Sequence, residues 1–171
     1  LQEYSGEIPN EQLEKLLEFC ELEFSLALEG KPPFPPSLTN SSPTGRSHSS
    51  RSLSDWADLL ETQRGCIHTA VTTADNGDER IDALAFTFLK PASDHPTEHV
   101  WIAITGEHAR RRGVMKALFA AVEARAVGNG RRKITVNTYP VQFPSMFLFL
   151  EANGYILLME TDGKRLYSKE L

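Results

Sequence analysis

The chain has 171 residues, a formal net charge of −5 and a hydrophobic fraction of 40%. That describes one soluble domain with enough apolar material for a sizeable core, and its acidic balance argues against general nucleic-acid binding. No apolar run is long enough to span a bilayer, so no membrane partner is expected. Cys20 and Cys66 lie far apart and form no CxxC or Cys/His ligand pattern. They read as reduced, buried thiols of a cytoplasmic or nuclear protein without a metal site. The chain begins at Leu1 with neither a methionine nor a signal-like segment, and reads as a trimmed sequence.

In chain order, Asn10 after Pro9 suits a helix start with an acidic first turn. Leu13, Leu16, Leu17, Cys20, Phe24 and Leu28 fall on one helical face, which predicts a helix over Asn10–Glu29 stopped by Gly30 and Pro32. The glutamates opposite read as a solvated face. Residues 31–52 are dense in proline and serine and cannot support a core, so they read as a flexible insertion or a substrate-covering lid. Ser54 and Asp55 cap a short helix, Trp56–Thr62. Cys66–Thr73 and Ile81–Leu89 are β-rich runs around an Asn76-Gly77 turn signal, which predicts a β-hairpin.

The stretch Glu98–Phe119 organises the rest. Val100–Thr105 reads as a buried strand, Gly106–Ala109 as a turn, and Arg110-Arg111-Arg112-Gly113 as the opening of a helix running to Gly128. A helix start leaves backbone N–H groups without partners and carries the positive end of the helix dipole, so it attracts phosphate. Three arginines there run against the dipole's preference and point to an anionic partner. Lys133–Asn137 is a further strand and Pro144–Ala152 a helix with Pro144 in its first turn and Asn153-Gly154 at its end. Tyr155–Glu160 and Arg165–Ser168 read as strands joined at Asp162-Gly163. The order is helix, helix, three strands, helix, strand, helix, two strands, a mixed α/β domain with helices on a central sheet.

This order, with Arg110-Arg111-Arg112-Gly113-Val114-Met115 after a strand and Leu150-Glu151-Ala152-Asn153-Gly154-Tyr155 near the end, resembles the GNAT superfamily of acyl-CoA-dependent N-acyltransferases. The first segment resembles the family's Arg/Gln-x-x-Gly-x-Gly/Ala motif, and the second its Tyr-Glu-x-x-Gly-Phe/Tyr segment. The resemblance implies a single domain whose mixed, largely antiparallel sheet is splayed in the middle with helices on both faces. It implies acetyl transfer from acetyl-CoA to a primary amine of a small molecule or of a protein, by direct attack in a ternary complex, with no metal. The pyrophosphate would lie on Arg110, Arg111, Arg112, Gly113, Val114 and Met115. The pantetheine arm would run between Ile104–Thr105 and Asn137–Thr138, and the Ala103–Ile104 amide would face the developing oxyanion. Two positions depart from the pattern. Met115 stands where the family usually has Gly or Ala. Leu150 stands where many members carry a tyrosine that protonates the leaving thiolate, and Tyr139 and Ser145 are the nearest substitutes, with Tyr155 weaker.

The acceptor amine must lose a proton, and Glu98 and His99 are the candidate bases, against a plain reading as strand-end surface residues. His68 reads as a structural histidine, and His108 as either a nucleotide contact or a solvated turn residue. Trp101 reads as core. The competing expectations are a non-catalytic domain of the same fold that binds coenzyme A or a protein, and a nucleic-acid binder with strongly salt-dependent association. Either a monomer or a homodimer is compatible with the sequence.

Overall fold

The computed structural model describes residues 1–32, 52–62, 64–73, 76–90 and 96–171. The insertion expected at 31–52 falls almost entirely outside them, as does the middle of the loop expected at 90–97.

The elements are β1 (Gln2–Ser5), α1 (Asn10–Leu28), α2 (Leu53–Thr62), β2 (Cys66–Thr73), β3 (Glu79–Lys90) and β4 (Thr97–Thr105). A 3₁₀ turn (Glu107–Ala109) leads to α3 (Val114–Gly128), β5 (Lys133–Thr138), α4 (Pro144–Ala152), β6 (Ile156–Thr161) and β7 (Lys164–Glu170). The strands form one seven-stranded sheet in the order β1-β2-β3-β4-β5-β7-β6. Every neighbouring pair is antiparallel except β4 and β5, which run parallel. Among the described residues no helix is long and apolar enough to cross a membrane.

Alternation along the strands divides the core into two layers. Leu84, Phe86, Ile102 and Ile104 pack with Leu13 and Leu16 of α1 and Trp56 and Leu59 of α2. Ala83, Ala85, Val100 and Val136 pack on the other face with Leu118 and Val122 of α3 and Leu150 of α4. Helices therefore cover both faces of the sheet. Cys20 and Cys66 are free and buried.

The strand β1 escapes sequence reading. Gln2–Ser5 has only Tyr4 as a strand-former, and it is held as an edge strand by its antiparallel ladder with β2. Two readings are corrected. The acidic side of α1 is not wholly solvated, because Glu23 is buried. The helix after the turn opens at Val114, four residues later than the arginine run predicts. Arg110 is extended, and Arg111 and Gly113 both have positive φ, at 62° and 78°. Left-handed residues cannot continue into a right-handed helix, so the three arginines form the approach to the helix and Gly113 its cap.

One irregularity in β4 positions everything that follows. Thr87 faces Val100 across the β3–β4 ladder while Phe86 faces Ile102, which leaves Trp101 as an extra, unpaired residue. This bulge shifts the alternation by one, so Val100 points toward α3 while Ile102 points toward α1 and α2.

Candidate active site

The parallel ladder between β4 and β5 is short: Glu98 faces Ile134, His99 faces Thr135 and Val100 faces Val136. Beyond the Trp101 bulge the strands part. The edge of β4 from Trp101 to Thr105, together with Asn137, Thr138 and Tyr139, walls a cavity of about 1120 Å³. One side is closed by the second half of α1, including Glu21, Phe24, Ser25 and Leu28. Arg110, Arg111, Gly113, Val114, Met115 and Lys116 line the cavity around the start of α3, and Phe143, Ser145, Met146 and Phe149 around the start of α4.

The turn end is built from backbone. The first intrahelical bond of α3 runs from the Ala117 N–H to the Gly113 carbonyl at 3.1 Å. The N–H groups of Val114, Met115 and Lys116 ahead of it have no partner within the helix. They lie on the cavity wall beside two guanidinium groups and an ammonium, the chemistry of an anion site. Gly113 has φ +78°, and an added Cβ would meet nothing within 4 Å, so its conformation rather than crowding calls for glycine.

Side chains outside the turn hold it in place. The Gly106 N–H donates to the Asp82 carbonyl at 2.8 Å. His108 Nε2 lies 2.8 Å from Asp82 Oδ1, and the Thr72 hydroxyl donates to the other carboxylate oxygen. Burial pushes the Asp82 carboxyl up, but the Thr72 and His108 hydrogen bonds and the nearby Arg80 outweigh it and hold it below its usual range. His108 therefore braces the turn and does not line the cavity. From the opposite side, Glu23 of α1 accepts the Glu107 N–H at 3.0 Å.

Beside α4, Lys31 Nζ donates to the Gln142 carbonyl and sits 5.9 Å from the Phe143 ring centroid. The Gln142 amide donates to the Pro32 carbonyl at 3.3 Å, and Phe24 packs edge-on against Phe143 at 5.6 Å. These contacts tie the end of α1 to the β5–α4 loop.

The residues expected to bind coenzyme are brought together with one exception. Ala103, Ile104, Thr105, Arg110, Arg111, Gly113, Val114, Met115 and Asn137 all line the cavity, while Arg112 is exposed outside it. Tyr139 lines it as well and is buried. Trp101, expected in the core, is half-buried, packed edge-on against Phe86 at 5.5 Å and facing the cavity.

The two candidate bases are not in the cavity. Glu98 is buried on the α3 side, where it accepts the Thr87 hydroxyl at 2.6 Å and pairs with Arg125 at 3.5 Å and Arg131 at 3.9 Å. His99 is buried on the opposite side, packed on Phe88. Asn137 Nδ2 can only donate, so His99 Nε2 accepts from it at 3.3 Å and Nδ1–H donates to Thr135 Oγ1 at 2.8 Å. Burial, with Lys90 and Lys164 adding repulsion, lowers the His99 pKa to about 3. A neutral imidazole with both nitrogens engaged is a fixed strut for Asn137.

In the late segment neither Leu150 nor Tyr155, the weaker substitute, lines the cavity, whereas Tyr139 and Ser145 do. Leu150 is fully buried in the core. The Tyr155 hydroxyl donates to Glu123 at 2.9 Å, and burial raises its pKa, which removes it as an acid for the cavity. The faces of α4 that reach the cavity are Ser145, Met146 and Phe149. Sequence reading also missed Lys116 and the α1 wall. The only signal for the latter was an apolar stripe continuing through Phe24 and Leu28.

Remote from the cavity, ligand-capable atoms of Glu3, Cys66 and His68 lie within 4.8 Å of one another. The β1–β2 register that sets Glu3 opposite His68 produces this grouping, which no sequence spacing could announce. Arg125 supplies the positive charge there, with its Nε 3.0 Å from Glu3. Burial lowers the His68 pKa to about 4 and raises the Cys66 thiol to about 12.

No protein-family model matches the sequence, and neither does any curated protein. Solved structures do match. An acetyltransferase of the GNAT family from Staphylococcus aureus superposes with a TM-score of 0.70 at 14% identity, over 99% of both chains. The chain has the GNAT acetyltransferase fold. A PaiA N-acetyltransferase from Thermoplasma acidophilum, solved in complex with coenzyme A, matches this GNAT-fold chain over 100% of both chains with a TM-score of 0.68 at 12% identity. An aminoglycoside 6'-acetyltransferase type Ii matches with a TM-score of 0.66 at 11% identity, over 99% of this chain and 97% of that one.

Proposed function

We propose that this GNAT-fold chain is an N-acetyltransferase that moves the acetyl group of acetyl-CoA to a primary amine by direct attack in a ternary complex. The observation that carries the reading is the parting of β4 from β5 beyond Val100 and Val136, into a cavity that ends at the Gly113-capped start of α3. The coenzyme A complex of the Thermoplasma acidophilum structure supports it at the level of fold.

In this reading the N–H groups of Val114–Lys116, with Arg110 and Arg111, bind the pyrophosphate. Met115 contributes through its backbone, which explains how a long side chain is tolerated there. Arg112 adds only long-range charge. The free edges of β4 at Ile104–Thr105 and of β5 at Asn137 hydrogen-bond the pantetheine amides, as an added strand would. The Ala103–Ile104 amide stabilises the oxyanion that forms when the amine attacks the thioester carbonyl. The tetrahedral intermediate collapses with loss of the coenzyme thiolate, which Tyr139 protonates. The amine's proton leaves through water, since neither Glu98 nor His99 reaches the cavity. The acceptor occupies the part of the cavity walled by Phe24, Tyr139 and Phe143.

The test is calorimetry with acetyl-CoA, followed by release of free thiol across a panel of amines. Saturable binding with thiol release for some amine is the expected result, and no interaction at millimolar acetyl-CoA would exclude the reading. That neither Glu98 nor His99 lines the cavity favours one alternative, a coenzyme-binding domain without turnover. Binding without thiol release from any amine would select it.

A further inference from the structure

We infer that Glu23 is a positioning residue that sets coenzyme affinity by competing with the pyrophosphate for Arg110, an assignment that rests on the coenzyme-binding reading above. Glu23 lies on α1, 84 residues before the turn that it contacts, with 6% of its surface exposed. Its Oε2 accepts the Glu107 N–H at 3.0 Å and lies 3.9 Å from Arg110 Nη2. One carboxylate oxygen thus carries both the hydrogen bond that shapes the 3₁₀ turn and the ionic contact to an arginine of the anion site.

The two contacts have different fates when an anion arrives. The Glu107 N–H belongs to the turn itself and stays with Glu23. Arg110 lines the cavity with its side chain 44% exposed, and 3.9 Å is too long for a tight hydrogen bond, so its guanidinium is free to turn toward a phosphate. Among the described residues the Glu107 N–H is then its one donor, so the buried carboxylate loses a charge partner. Drawing Arg110 away therefore costs free energy, and coenzyme binding bears that cost. The arrangement holds Arg110 ready beside the site in the free protein and keeps the coenzyme from binding so tightly that product release suffers.

The inference predicts a gain of affinity on removing a charge, the opposite of what a merely structural role would give. Glu23→Gln keeps an oxygen to accept the Glu107 N–H and releases Arg110. Calorimetry with coenzyme A is expected to show binding about two- to fivefold tighter than wild type, the range of a partly exposed ion pair. Glu23→Asp, whose shorter carboxylate draws back from Arg110, should give a smaller gain. In an Arg110→Gln background, which itself weakens binding, Glu23→Gln should change nothing further. Weaker or unchanged affinity in Glu23→Gln, or the same gain with and without Arg110, overturns the inference while leaving the coenzyme reading intact. Wild-type protein that takes up no coenzyme overturns both, and is recognised before any variant is made.

Discussion

The imidazole of buried His99 and the amide of half-buried Asn137 form a pair in which Nε2 accepts from Nδ2 at 3.3 Å, with Thr135 closing the other side of the ring at 2.8 Å. The pair sits where β4 and β5 are last joined, so the strut fixes Asn137 at the lip of the cavity. His99→Ala would leave Asn137 and Thr135 without this partner and open a void. It should destabilise the fold by about 2–4 kcal/mol, seen as a lowered urea midpoint. His99→Gln, which offers both an acceptor and a donor, should recover much of the loss. If His99 acted as the base instead, Gln would abolish turnover while leaving the urea midpoint near that of wild type.

The pH dependence of stability follows from the two buried histidines. Both are lowered from 6.5 by burial, His99 to about 3 and His68 to about 4. Between those values and 6.5 the unfolded chain binds protons that the folded chain refuses. The stability contributed by keeping them neutral is complete above pH 6.5, falls as the pH drops below it, and is gone by about pH 3. Urea midpoints should be level from pH 8 to 7 and decline steadily from 6.5 to 4. A level profile down to pH 4 would contradict the burial of both rings.

Glu98 gives a separate test, because its partners are Thr87, Arg125 and Arg131 rather than substrate. Arg125→Leu leaves Glu98 with a weakened charge balance in the interior, and should cost about 3–5 kcal/mol. Coenzyme affinity of the folded fraction should match wild type. A large change in affinity with little change in stability would return Glu98 to the active site.

Tyr139→Phe removes the proposed acid while keeping the ring that walls the cavity. Turnover should fall about 10²-fold or more, in the range of a lost general acid, with coenzyme affinity within a factor of about two. Full turnover in this variant would mean that the thiolate takes its proton from solvent.

Gly113→Val tests the cap. The Cβ has open space, so the penalty is the backbone's φ of +78°, which a β-branched residue adopts at a cost of about 1–2 kcal/mol. Relaxing that strain would rotate the N–H groups of Val114–Lys116, so both thermal stability and coenzyme affinity should fall, the latter about tenfold. Unchanged affinity would move the anion site elsewhere.

The sequence by itself determined the elements whose signals are local. Periodicity in Leu13–Leu28, the Asn76-Gly77 turn, Pro144 at a helix start and the Asp162-Gly163 turn each depend on neighbours within a few residues, and the corresponding elements are found within a few residues of their predicted bounds. The strand-to-helix turn that carries Gly113 was legible for the same reason, although the left-handed φ of Arg111 was not, and that moved the helix start to Val114. Only the tertiary structure decided which polar groups serve the cavity. A single extra residue at Trp101 parts β4 from β5, and no pattern in the run Val100-Trp101-Ile102 marks it. Glu98 and His99 are adjacent in sequence, yet strand alternation sends one to Arg125 under α3 and the other to Asn137 on the opposite face. Glu23 looks like one more glutamate on an acidic helix until packing brings it to a turn 84 residues away. Contacts of that separation are set by how whole layers stack, and the sequence holds them only through the sum of many weak apolar preferences.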